Sequence, residues 1–119
     1  MTTTPASTDQ PKTVYLAGPM TGHPDYNFPT FHLAATRLRE LGLTVISPAE
    51  DDQGKPLTPP TPEAALPHQA YMLRSLRMML ACDAIFLIPG WGTSTGAQLE
   101  RQVARACGLG IFEMGKWPW

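Results

Sequence analysis

Four short apolar runs, the first three closed by a proline or glycine, constrain this chain more than any other feature. Thr13-Val14-Tyr15-Leu16-Ala17 stops at Gly18-Pro19, and Leu43-Thr44-Val45-Ile46 stops at Ser47-Pro48. Asp83-Ala84-Ile85-Phe86-Leu87-Ile88 stops at Pro89-Gly90, and Leu109-Gly110-Ile111-Phe112 lies near the carboxyl end. Such runs, rich in β-branched and aromatic residues and bounded by breakers, read as buried strands.

The stretches between them have helical spacing. From Phe28 to Leu41, the residues Phe31, Ala34, Ala35, Leu38 and Leu41 form one apolar stripe. Pro29 suits the first turn of that helix and Gly42 its stop. From about His68 to Ala81, Tyr71, Met72, Ser75, Leu76, Met79 and Leu80 recur on one face. A third helix is predicted from Ser94 to Cys107, stopped by Gly108. None of the thirteen prolines falls in a helix interior, where the ring would remove a hydrogen bond and clash with the preceding turn.

Strands alternating with helices imply right-handed crossovers and a parallel sheet with helices on both faces. The fold class is α/β, and four strands in the order 2-1-3-4 are the simplest solution. The first and third strands are then neighbours whose outgoing connections leave on opposite faces, and open α/β sheets bind ligands outside the carboxyl ends of such a pair. Two segments must line that crevice: GPMTG after the first strand and PGWGTSTG after the third.

A chain of 119 residues holds one domain. Residues 1–12 read as a disordered Thr/Ser/Pro tail, 13–112 as the domain and 113–119 as a second tail, with Trp117 and Trp119 as candidate interface anchors. The proline-rich connection from Ala49 to Pro67 is long for a small domain, which marks it as functional or mobile. Nine Lys+Arg against ten Asp+Glu give a formal net charge of -1, which excludes a strongly basic nucleic-acid platform. Cys82 and Cys107 form neither a disulfide scaffold nor a CxxC pair, and His23, His32 and His68 are scattered, so no metal or redox cofactor is expected. The longest apolar stretch is too short for a membrane span, and the first residues lack signal-peptide character. A cytoplasmic, reduced protein is the expectation.

The segment Ser94–Glu100, STGAQLE, carries the most chemistry. Ser94 is a good N-cap, and free N–H groups beside Gly92 and Gly96 suit a phosphate or another anion. Helical side chains lean toward the amino end, so Glu100 points back at the same crevice. A sugar phosphate reconciles the two, with phosphate on the helix end and the carboxylate beside the sugar. The competing reading has Ser94 as a simple cap and Glu100 as a solvated residue pairing with Arg101 or Arg105. Gly18 permits either a close backbone approach or a positive φ. Tyr15 faces one side of the sheet, where its hydroxyl reaches a ligand or packs beneath a helix. Trp91, on the crevice loop, is placed to stack on a nucleobase or to cover the sheet edge or a subunit contact. Asp83 opens the third strand at the wrong end for catalysis, and Cys82 and the methionines Met72, Met78 and Met79 read as core.

Together, VYLAGPMTG, then NFPTF with its following L, LG and SP, then CDAIFLIPGW with S, GA and E behind it, resemble the nucleoside 2-deoxyribosyltransferase-like superfamily over residues 13–112. The resemblance implies a small flavodoxin-like three-layer sandwich that cleaves or exchanges N-glycosidic bonds of nucleosides or nucleotides without a cofactor. It assigns Glu100 as the carboxylate that attacks or stabilises the anomeric carbon. Tyr15, Gly18, Met20 and Thr21 would shape the sugar pocket, Gly96 and Ala97 would let the ligand approach the last helix, and Trp91 would cover the base. Ser94 replaces the acidic residue of enzymes acting on free nucleosides and matches the phosphate-binding serine of nucleoside 5′-monophosphate hydrolases. Ser75 stands where many members carry an aspartate, a group with Asp25, Glu50, Asp51 or a neighbouring subunit as possible substitutes. The resemblance also implies a homo-oligomer. A non-catalytic nucleotide-binding or sequestering module on the same fold is the alternative.

Overall fold

In a computed structural model of the protein, described over residues 11–61 and 67–114, the elements follow the alternation read above. They are β1 (Thr13–Ala17), α1 (Phe28–Glu40), β2 (Thr44–Ile46), α2 (His68–Leu80), β3 (Ala84–Leu87), α3 (Thr95–Ala106) and β4 (Gly110–Glu113). The sheet is parallel throughout in the order 2-1-3-4. Val14 of β1 stands opposite both Val45 of β2 and Ala84 of β3, and Ile85 of β3 stands opposite Ile111 of β4. This is a small α/β sandwich consistent with a flavodoxin-like arrangement. β4 continues to Glu113, one residue beyond the last apolar run, and the Met114 N–H donates to the Leu87 carbonyl at 3.0 Å. Most of the two expected tails, including Trp117 and Trp119, lies outside the described residues, as do residues 62–66 of the proline-rich connection.

The period of two along β1 divides the core. Val14 and Leu16 pack with Phe28, Phe31, Ala34, Ala35 and Leu38 of α1, while Tyr15 and Ala17 pack with Met79 of α2 and with Ala97 and Ala104 of α3. In β3, Ala84 and Phe86 join the α1 side and Ile85 and Leu87 the other. Both central strands are therefore buried on both faces, as their continuous apolar sequences require.

Two members of the predicted stripes lie outside the core. Leu41 is 41% exposed because it is the C-terminal cap of α1, where the backbone has left the helix. Leu80 is 53% exposed, on the same outer column of α2 as Leu73 and Arg77, while Met72, Leu76 and Met79 turn inward.

The loop after β1 contains a feature its composition does not announce. Asp25, Tyr26 and Asn27 have φ of 52°, 54° and 62°, three consecutive non-glycine residues in the left-handed region. Each such residue costs on the order of 1–2 kcal/mol, least for Asp and Asn. α1 begins directly after this turn.

Polar clasps hold the rims. Asp83 accepts from the Lys12 and Thr13 N–H groups, each at 3.1 Å, which ties the start of β1 to β3. Arg39, near the end of α1, donates to the Val45 carbonyl at 3.0 Å and to both oxygens of Glu50 at 2.8 and 2.6 Å. Arg74 of α2 donates to the Pro48 and Glu50 carbonyls at 3.1 and 2.8 Å, bracing the chain that leaves β2. Among the described residues no helix is long and apolar enough to cross a membrane.

Candidate functional site at the strand carboxyl ends

The crevice expected between β1 and β3 is framed by α1 on one face and α3 on the other. Gly18 serves it by close approach and not by positive φ: a Cβ there would lie 2.8 Å from the Ile88 Cβ. Gly90 has φ of 91°, and a Cβ on it would meet the Pro19 ring at 3.3 Å, so the segments leaving β1 and β3 touch.

Ser94 is the N-cap of α3, and its hydroxyl oxygen accepts the Ala97 N–H at 3.2 Å. The next residues set the distance between helices. A Cβ on Gly96 would come within 3.3 Å of the Met72 sulfur, so a glycine there lets α2 lie close against α3. Ala97 is buried in the core below. These two small residues receive α2 and the sheet, which brings Ser75 of α2 toward Glu100 of α3.

Glu100 lies in the second turn of α3 and is only 5% exposed. The Tyr15 hydroxyl, rising from the middle of β1, donates to its Oε2 at 2.9 Å. The Ser75 hydroxyl lies beside both groups, where its single O–H favours the ionised form of whichever it faces. Sheet, α2 and α3 each contribute one polar group to a cluster otherwise surrounded by Ile85, Leu87 and Leu76. Burial raises the Glu100 pKa to about 7, outweighing the Tyr15 and Ser75 hydrogen bonds that favour the carboxylate. The Tyr15 phenol is raised well above its ordinary value, first by burial and then by the negative charge of Glu100. Among the described residues Glu100 has no ion-pair partner, and neither Arg101 nor Arg105 reaches it. Near neutral pH this carboxyl exchanges its proton, and in its ionised form it is a weakly solvated base or nucleophile.

The other predicted positions spread outward from that cluster. Met20 is half-buried against the α1 side of the core and Thr21 is exposed at the loop tip. Trp91 is half-buried; its indole donates to Glu113 at 3.2 Å, and the Arg101 guanidinium lies 5.5 Å above the ring. These contacts place it over the β3–β4 side of the sheet. Of the carboxylates considered as substitutes at Ser75, Glu50 is committed to Arg39 and Asp51 accepts the Gln53 and Lys55 N–H groups at 2.8 and 2.9 Å. Asp25 is exposed in the left-handed turn. A separate cleft of about 290 Å³ lies beside β2, lined by Ile46, Ser47, Asp52 and Met78 among others. Among the described residues no three His, Cys, Asp or Glu side chains gather into a metal-binding group.

Sequence reasoning missed Asn27 and the Arg39–Glu50 pair. An asparagine just before Phe28-Pro29 resembles an ordinary helix cap, and nothing in the spacing of Arg39 and Glu50 predicts their meeting.

The fold and this cluster define a class: a small doubly wound α/β protein with a tyrosine–carboxyl pair buried beside the switch point. The chain belongs to the family described as a domain of unknown function (DUF4406), which matches residues 12–113. No curated protein matches the sequence.

Proposed function

We propose that the chain binds a nucleoside 5′-monophosphate at the carboxyl ends of β1 and β3 and breaks its N-glycosidic bond, with Glu100 as the reacting carboxylate. The observation that carries this reading is a carboxyl 5% exposed, unpaired by any described cation and held by Tyr15 on the α2–α3 face of the sheet. A buried ionisable group with a raised pKa costs stability, which is the expected mark of a working group. Of the first N–H groups of α3, that of Ala97 is taken by the Ser94 hydroxyl, and those of Thr95 and Gly96 have no intrahelical partner and suit a phosphate. The sequence resemblance supplies the sugar and base.

In this reading ionised Glu100 attacks the anomeric carbon, and the C–N bond breaks with its electron pair going to the base, which takes up a proton. Water then attacks the same carbon and releases the sugar phosphate with the carboxylate restored. Tyr15 and Ser75 orient the carboxylate and lower the cost of its ionised form. The attacking species is lost as pH falls through about 7, so the rate should rise with pH and level off above that value.

A second reading, a nucleotide-binding module without turnover, is favoured by one observation: the Ser75 position gives the cluster a hydroxyl where a second carboxyl would supply an acid for the leaving base. The test is base release from a panel of nucleoside 5′-monophosphates, followed by chromatography. Glu100→Gln is expected to reduce release by at least about 10²-fold. Nucleotide binding with no release in the wild type would favour the module, and release untouched by Glu100→Gln would reject the assignment of this carboxyl.

A further inference from the structure

Three successive left-handed residues without a glycine are a conformation that surrounding contacts must hold in place. Asp25 and Asn27 tolerate it, but Tyr26 between them is a bulky residue for which positive φ is a true outlier. Its half-buried ring packs against the α1 side of the core, 6.4 Å from the Phe28 ring. The backbone closes the turn with the Tyr26 N–H on the His23 carbonyl at 3.0 Å.

Asn27 shows what the turn accomplishes. It occupies the N-cap position of α1, where an asparagine oxygen normally accepts an N–H of the first helical turn. No such bond forms here, because the N-cap residue has φ of 62° in place of the extended backbone that capping needs. The carboxamide instead points away from the helix, and its Nδ2 donates to the Pro19 carbonyl at 2.9 Å. Pro19 is the second residue beyond β1, buried, with its ring in contact range of the Gly90 backbone beyond β3. A single chain of contacts therefore runs from the turn through Asn27 and Pro19 to the loop that leads into Ser94.

We infer that Asn27 is a positioning residue for the crevice, fixing the Gly18–Gly22 turn through the Pro19 carbonyl and, through the Pro19–Gly90 contact, the segment before α3. This rests on the reading above only in taking the crevice as the ligand site. The strained turn is the device that aims the carboxamide backward, since an Asn27 in extended backbone would cap α1 and release Pro19.

Asn27→Gly separates aim from fold, because glycine adopts positive φ freely and only the carboxamide is lost. Asn27→Asp keeps the size but cannot donate to a carbonyl. Both variants are expected to unfold at or near the wild-type temperature. In native-state hydrogen exchange of the unliganded protein, the N–H groups of His23, Trp91 and Thr93 should exchange at least about tenfold faster while those of the central strands keep their protection. These three N–H groups are bonded to Met20, Ile88 and Gly90 carbonyls in the segments concerned. The probe ligand is 2′-deoxycytidine 5′-monophosphate, whose binding, where the wild type shows it, should weaken about tenfold in both variants. Wild-type exchange at His23, Trp91 and Thr93 in either variant would overturn the inference, as would faster exchange throughout the chain. A wild type that binds no nucleotide would count against the proposed function alone, because the exchange comparison needs no ligand.

Discussion

The two faces of the sheet are built from the same strands yet do different things. On the α1 side, Val14, Leu16, Phe31, Leu38 and Phe86 close a wholly apolar layer, and α1 buries five residues into it. On the α2–α3 side, Tyr15 and Glu100 are buried among apolar neighbours, and α2 contributes Met79 as its one fully buried residue. The first face stabilises the fold; the second holds an ionisable group whose burial opposes it. The switch from one role to the other takes a single step along β1, from Val14 to Tyr15.

The contrast is most easily broken from the packing side. Phe31→Ala empties a fully buried aromatic site and should cost about 3–5 kcal/mol in urea unfolding, with the Glu100 titration unmoved in whatever fraction remains folded. Glu100→Gln should do the reverse. The Glu100 pKa is about 7 in the folded chain against an ordinary 4.5. Its contribution is therefore fully present below about pH 4.5 and lost as pH rises to 7, since the unfolded chain ionises first. Above pH 7 the wild type forgoes on the order of 3 kcal/mol at most. Chemical unfolding at pH 8 should show Glu100→Gln to be the more stable protein, and at pH 4 the gain should vanish. A variant less stable than wild type at pH 8 would mean that the carboxylate is well solvated in the native state. Ser94→Ala is the smallest perturbation: it removes the bond to the Ala97 N–H and should lower stability by about 1 kcal/mol, readable as a shift in the urea midpoint.

How much of this was legible in the sequence follows the same division. Strand runs and helix stripes repeat a pattern, so element order, sheet order and the crevice position were readable to within a residue or two. Glu100 and Tyr15 were readable as candidates because a helix leans its side chains toward its amino end and a strand alternates its faces. Their direct bond was not, because it depends on how closely α3 lies over β1. Ser75 was readable on the inward stripe of the second helix and as a departure from a resemblance, but its place in the cluster depends on the short approach that Gly96 allows. The left-handed turn left no trace at all: HPDYN reads as an ordinary polar loop, and its conformation is imposed by tertiary contacts of Tyr26 and Asn27. Leu41 and Leu80 fit their stripes by periodicity but lie where the helix ends or where its face has turned away from the sheet.

Arg39 has a consequence beyond the ion pair it makes. Its guanidinium occupies the carbonyl that Val45 turns away from β1 and anchors Glu50 alongside, which takes one outward acceptor from the exposed border of the sheet. A strand arriving from another molecule would first have to pull apart a two-pronged contact with a buried carboxylate.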